Sequence, residues 1–237
     1  MKLPIICLTC AIQGVADERP IKVVEVRDDG RYETICDNGH HIVIVLQQLK
    51  FEILFEIGAY AIADGYYREG VSSFTSSLER FYEFVIRVIL HAKGLSDESI
   101  NFTWNTIARQ SERQLGAFVA LYASEYQKLP SLLTNKQVEF RNDVIHRGII
   151  PSRDQAVLYG QQVLDALRPI LHEIKEKYRN SIHKVISVHI LQCRNCGDAP
   201  NQPISTMFVE TIISLAVADP KHDERSLEDA ISNLRRW

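Results

Sequence analysis

The placement of the cysteines constrains this chain more than any other feature. Five fall as Cys7-x2-Cys10, Cys36 and Cys193-x2-Cys196, with none between Cys36 and Cys193. Soft ligands confined to the two ends imply that the ends and the middle are built differently. The start Met1-Lys2-Leu3-Pro4 lacks the long apolar core of a secretory leader, so the expected compartment is the cytoplasm. Thiols there serve as metal ligands or stay reduced rather than forming disulfides. Cys7-x2-Cys10 followed by Cys36-Asp37-Asn38-Gly39-His40 has the layout of a zinc ribbon. Two ligand-bearing turns joined by strands offer three thiolates and one imidazole to a tetrahedral ion. Gly39 suits a tight second turn, and His40 is preferred over His41 as the fourth ligand. A module this small has almost no core of its own, so a structural zinc ion would hold it together. Cys193-Arg194-Asn195-Cys196 is half of a further site. It can join Cys7 and Cys10, take His189 or His183 as partners, or remain a reduced surface pair.

Periodicity supports the same division. Pro4 to Cys7, Ile21 to Arg27 and Tyr32 to Cys36 read as short strands, with Asp28-Asp29-Gly30 as a hairpin turn. From residue 42 to about 180 the apolar spacing is helical, and turn signals divide it into helices near 42–63, 66–93, 99–128, 134–147 and 153–179. Gly94 and Gly148 stand just past two helix ends, where glycine closes the last turn. Ser152-Arg153-Asp154-Gln155 is a capping box that starts the last long helix. Beyond Asn180, His183 to Gln192 and Met207 to Val217 read as strands again, before a short helix from Glu224 to Arg236. The expected organisation is a β module over 1–41, a helical bundle over 42–180, and terminal strands with a short helix over 181–237 that pack with the first module. No membrane segment is expected, because Gln47, Gln48, Lys50, Glu52 and Glu56 interrupt the apolar stretch from Ile42 to Ala63.

Composition narrows the function classes. At 46% hydrophobic, 24% charged and a formal net charge of -3, the chain has the balance of a globular protein and no broad nucleic-acid-coating surface. A local basic pocket is still allowed, and Phe140-Arg141-Asn142-Asp143-Val144-Ile145-His146-Arg147-Gly148 supplies one at the end of a predicted helix. Arginine carries a permanent planar charge that fits phosphate, and histidine gives and takes protons near neutrality. Asn142 and His146, four apart, share one helix face, while Arg141 is turned by about 140° from His146 and must reach around with its long stem. In the last turn the helix dipole favours a protonated imidazole, which suits a general acid. Taken alone, Arg141 could equally pair with Glu139 or Asp143, and His146 could merely cap the helix.

The central region resembles the HEPN domain, an all-α bundle of four or five helices found in many metal-independent ribonucleases and toxins. The resemblance covers roughly residues 42–180. It rests on Asp64-Gly65-Tyr66-Tyr67-Arg68-Glu69-Gly70, on Ser77-Leu78-Glu79-Arg80-Phe81-Tyr82-Glu83, and on Arg141-Asn142-x3-His146. The family signature is an arginine, a following polar residue that is often asparagine, and a histidine after four to six intervening residues. The resemblance implies a mainly α, HEPN-like helical bundle with small zinc-ribbon-like β elements at the termini. It further implies attack of a ribose 2′-hydroxyl on the adjacent phosphorus, with Arg141, Asn142 and His146 as the catalytic group, no catalytic metal, and RNA as substrate. Arg147 and Arg153 would widen the phosphate-binding patch. A homodimer would bring two motifs to a shared cleft, and a toxin or phage-defence role would follow, with any antitoxin or regulatory partner unnamed by the sequence. The competing expectation is a non-catalytic HEPN-like assembly module whose zinc ribbon binds nucleic acid or a protein.

Overall fold

His41-Ile42-Val43-Ile44-Val45-Leu46 holds four successive β-branched residues, Ile42 to Val45, and it forms a strand rather than the start of a helix. The computed structural model describes residues 1–14, 22–196, 204–217, 222 and 224–236. Ile21, expected to open a strand, lies outside the described residues. The chain divides into two units, Met1–Leu49 with Ile186–Glu210 and Arg235–Trp237, and Lys50–Val185 with Thr211–Leu234. Both departures from the expected boundaries at 41 and 180 have local causes. The run after His41 is buried over its whole length as a strand, and the helix that spans residue 180 continues to Asn195.

The first unit holds two small sheets. Strand β1 (Lys2–Ile5) pairs antiparallel with β2 (Lys22–Glu25), Lys2 opposite Glu25. Strand β3 (Arg31–Ile35) pairs antiparallel with β4 (His41–Leu46), and β5 (Ile204–Met207) adds to β4 in parallel, Val43 opposite Ile204. The expected hairpin across Asp28-Asp29-Gly30 is therefore absent. Strand β2 takes its partner from β1 and β3 from β4, and the residues between them form a turn that connects two sheets, with Gly30 at φ +61°. Gln48 closes the edge beyond β5, donating from Nε2 to the Val209 carbonyl at 2.7 Å and accepting the Val209 amide at 3.2 Å. A short helix α1 (Leu8–Ile12) follows β1.

The second unit is mainly helical: α2 (Lys50–Ala63), α3 (Tyr67–Ala92), α4 (Asp97–Ile107), α5 (Ser111–Tyr126), α6 (Asn135–His146) and α7 (Arg153–Lys177). The expected helix over 99–128 is two, because the side chain of Gln114 turns back to donate to the Ala108 carbonyl at 2.7 Å and ends α4 there. Helix α3 is the hub, packed on α2, α4, α5, α6 and α7. Its Phe74 is fully buried between two glycines: a Cβ on Gly58 of α2 would lie 2.6 Å from the ring, and one on Gly160 of α7 also 2.6 Å from it. Only glycine permits helices so close on both sides of one ring. The capping box predicted at Ser152 is present, with the Gln155 amide donating to Ser152 Oγ at 3.3 Å and the Ser152 amide to Gln155 Oε1 at 2.9 Å.

Two further expectations fail. His183 to Gln192 is not a strand but part of α8 (Arg179–Asn195), of which residues 179–185 belong to the helical unit and 186–195 to the first. Ile182, Val185 and Cys193 are its buried positions, a helical spacing that the β-branched content disguised. Met207 to Val217 is strand only to Met207, and the rest is an irregular strap. Buried carboxylates on α2 explain it: Glu56 accepts the Ile212 amide and Glu52 the Leu215 amide, each at 2.9 Å, taking donors that a strand would have used. Helix α9 (Leu227–Ser232), capped by Ser226, ends the unit and is shorter than expected. Among the described residues no helix is long and apolar enough to cross a membrane.

Candidate metal centre and basic helix end

The first unit brings together the four residues that the cysteine spacing singles out. Strand β1 delivers Cys7 to the N-cap of α1, where its sulfur accepts the Cys10 amide at 3.5 Å. Cys36 and His40 sit at the two feet of the β3–β4 hairpin. The turn is closed by the Gly39 amide on the Cys36 carbonyl at 2.9 Å and the Cys36 amide on the His40 carbonyl at 3.0 Å. Gly39 is at φ +79°, which L side chains rarely adopt. His41, the alternative ligand, is the first residue of β4 and lies outside the group.

The ligand atoms of Cys7, Cys10, Cys36 and His40 all lie within 4.8 Å of one another. Sulfur to sulfur, Cys10 and Cys36 are 3.7 Å apart, and His40 Nδ1 is 3.7, 3.2 and 3.5 Å from the sulfurs of Cys7, Cys10 and Cys36. Zinc with bonds of about 2.3 Å to sulfur and about 2.0 Å to nitrogen gives tetrahedral edges of about 3.8 and 3.5 Å. The cluster is thus dimensioned for a metal ion such as zinc. Its thiols are buried, with Cys7, Cys10 and Cys36 at 1%, 1% and 3% exposure. Ionisation is shared unequally among them. Burial raises the Cys7 thiol, but donation from the Cys10 amide and the neighbouring thiols outweighs it and holds Cys7 below its ordinary value. Cys10 receives a hydrogen bond from Asn38 Nδ2 at 3.3 Å that lowers it, yet burial and the thiols of Cys7 and Cys36 together push it up. Three such sulfurs cannot all carry charge side by side unless a cation joins them. Asn38 escaped the sequence reading; its place between two ligands was the available signal.

Cys193 and Cys196 stay out of this cluster. They occupy the C-terminal end of α8 and its flank, Cys193 buried beside His189 and Cys196 exposed. The all-thiolate arrangement with Cys7 and Cys10 does not form, because His40 and Cys36 already complete that set.

In the helical unit, α6 starts from a capping box of Thr134 and Gln137 and ends at His146, with Gly148 at φ +74° beyond it. Val144 is its buried anchor. Arg141 and Asn142 are half-buried and His146 is exposed. Among the described residues none of these three side chains makes a hydrogen bond or ion pair, so the expected alternatives of Arg141 pairing with Glu139 or Asp143 do not occur. Asp143 instead pairs with Arg147 at 2.9 Å. Arg153 is likewise engaged, by Glu228 at 2.5 Å. The guanidinium of Arg141 is close enough to the phenols of Tyr82 and Tyr159 to oppose the rise that burial, above all, imposes on both. Neither tyrosine stood out in sequence, where aromatic residues at helical spacing read as core. Neither a scan against protein-family models nor searches of curated proteins and of solved structures returns a match.

Proposed function

We propose that the helical unit is a metal-independent endoribonuclease of the HEPN type, and that the Cys7, Cys10, Cys36 and His40 centre holds a structural zinc ion in an appendage that positions RNA or a partner. The observation carrying this reading is a half-buried guanidinium and carboxamide, Arg141 and Asn142, without protein partners, near an exposed imidazole at the end of the same helix. In a chain with more carboxylates than cations, a guanidinium held in no contact ion pair is available to an anion. His146 would exchange the proton of the ribose 2′-hydroxyl or the leaving 5′-oxygen. Arg141 would stabilise charge growing on the phosphoryl oxygens, and Asn142 would orient one of them. The products are a cyclic phosphate and a free 5′-hydroxyl.

A single imidazole serves only one of the two proton transfers at a time, so a second copy would bring the other. Exposed Leu129 and Leu132 before α6, and Ile149 and Ile150 after it, supply apolar surface for that copy to cover. A toxin or phage-defence role is the setting in which such an activity would act. The test incubates the purified chain, with chelator present, with RNA and maps the new ends. Wild type should leave cyclic phosphates, while His146→Ala and Arg141→Ala should each lose about 100-fold or more in rate with the far-UV spectrum unchanged. Cleavage that survives both substitutions would sink the assignment, and a wild type that cleaves no RNA would leave the non-catalytic assembly module standing.

A further inference from the structure

A second thiol pair stands apart from the metal cluster. Cys193 is buried in the last turn of α8, and Cys196, just beyond, is exposed and donates its thiol to the Gln192 carbonyl at 3.2 Å. One turn before Cys193 is His189, whose Nδ1 and Nε2 lie 3.7 and 3.8 Å from the Cys193 sulfur. Nε2 is also 3.1 Å from the Leu46 carbonyl of β4. A carbonyl only accepts, so Nε2 carries the ring hydrogen and Nδ1 is the basic nitrogen within reach of the thiol. A base beside a thiol, oriented by a third group, is the arrangement that activates a cysteine. Among the described residues Cys196 has no such base; the dipole at this end of α8 opposes a thiolate at both sulfurs, and Cys193 has His189 to offset it.

The two sulfurs can also be joined. The Cys196 amide reaches the Cys193 carbonyl at 3.4 Å, so the last turn has already tightened. Cβ atoms three apart on a helix are about 5–6 Å from each other, against about 3.8 Å in a disulfide, and a terminal turn can close that gap. A metal is less well served: among the described residues no third ligand atom gathers with Cys193 and His189 as the four do in the other cluster.

We propose that Cys193 and Cys196 form a dithiol oxidised by hydrogen peroxide, with Cys193 as the attacking sulfur and His189 as its base. The Cys193 proton passes to His189 Nδ1, and the thiolate attacks one peroxide oxygen. The S–O bond forms, the O–O bond breaks, and the departing oxygen takes the proton from His189, leaving a sulfenic acid on Cys193 and releasing water. The sulfur of Cys196 then attacks that of Cys193. The S–S bond forms, the S–O bond breaks, and hydroxide leaves with the Cys196 proton as a second water. Two electrons pass from the thiols to the peroxide. The disulfide would reshape a turn held to β3 by the Arg31 guanidinium on the Arg194 carbonyl at 2.8 Å, with the Cys193 sulfur against Gly30.

The zinc-loaded full chain, treated with equimolar hydrogen peroxide and digested, should yield a peptide carrying the Cys193–Cys196 disulfide while its metal content stays constant. Cys196→Ser, at an exposed position, should halt at the sulfenic acid, trapped by dimedone on Cys193. His189→Gln should slow oxidation of Cys193 about tenfold or more. Dimedone on Cys196 of the wild type, a rate indifferent to His189→Gln, or a second metal equivalent lost in Cys196→Ser would each overturn the proposal.

Discussion

Alanine at position 58 should destabilise the helical unit, although alanine is the better helix former. A Cβ on Gly58 would lie 2.6 Å from Cδ1 and Cε1 of Phe74, where ordinary contact begins at 3.4 Å. The ring would have to withdraw by about 0.8 Å, and it cannot: its other edge abuts Gly160 of α7, and the Phe55 ring is centred 4.7 Å away. Such overpacking costs about 1–3 kcal/mol, and replacing a mid-helix glycine returns about 1 kcal/mol, so the net loss should be up to about 2 kcal/mol. The decisive reading comes from the background. Phe74→Ala alone should cost about 3–5 kcal/mol through its cavity, and adding Gly58→Ala should then stabilise by about 1 kcal/mol, since the three atoms nearest the new Cβ all belong to that ring. Urea titrations followed by far-UV circular dichroism, compared at constant slope, measure all four corners of the cycle. If Gly58→Ala has the same sign with and without the Phe74 ring, the close approach of α2 and α3 is not what requires glycine there.

Other perturbations follow from the same structure. Glu125 is held down to about 2, first by the Lys93 ammonium and then by the Tyr178 hydroxyl and Lys177. Its folded pKa is below the unfolded one, so its stabilisation is complete above about pH 5 and is lost as pH falls toward 2; with both lysines solvent-screened, a pH series on Glu125→Gln should lack about 1 kcal/mol of that acid loss. Asn38→Ala should weaken metal binding about tenfold in competition with a chromophoric chelator, and unchanged affinity would remove the hydrogen bond to Cys10 from the account. Arg147→Ala should leave the proposed RNA cleavage within about threefold of wild type, because its side chain points to solvent and pairs with Asp143, whereas Arg141→Ala should not.

Much of the helical unit was legible because its punctuation is local. Gly94, Gly148 and the Ser152 box mark ends by mechanisms that act within one turn, and α3, α6 and α7 begin and end close to where those residues place them. What was not legible depends on partners distant in sequence. The run from Ile42 to Leu46 suits a strand or a buried helix equally by periodicity, and its pairing with β3 and, in parallel, with β5 settles it. Glu52 and Glu56 look like polar interruptions of an apolar helix until the Leu215 and Ile212 amides that they bind are in view. In α8, side chains at 182, 185 and 193 fit a helix while 186, 188 and 190 fit a strand, and nothing local breaks the tie.

The two candidate sites differ in how they could be read, and the difference is physical. A metal centre requires ligand types at short spacings on tight turns, so Cys7-x2-Cys10 and Cys36-x3-His40 carry almost their whole geometry in the sequence, and the four atoms meet at distances a tetrahedral ion would set. A phosphate-handling site requires something spacing cannot express, namely a cation without a carboxylate partner. Arg141 and Arg147 stand two and four residues from Asp143, yet only Arg147 takes that carboxylate as its partner. The helix decides it, because residues four apart share a face while residues two apart do not. Asp143 therefore draws away Arg147 and leaves Arg141, whose charge acts against that of Glu79 on Tyr82 and Tyr159, without an ion pair at contact distance. Exchanging the carboxylates, as Asp143→Asn with Val138→Asp, would put one three residues before Arg141 and transfer the ion pair to it, and the proposed nuclease should then lose rate at Arg141 without losing the residue itself.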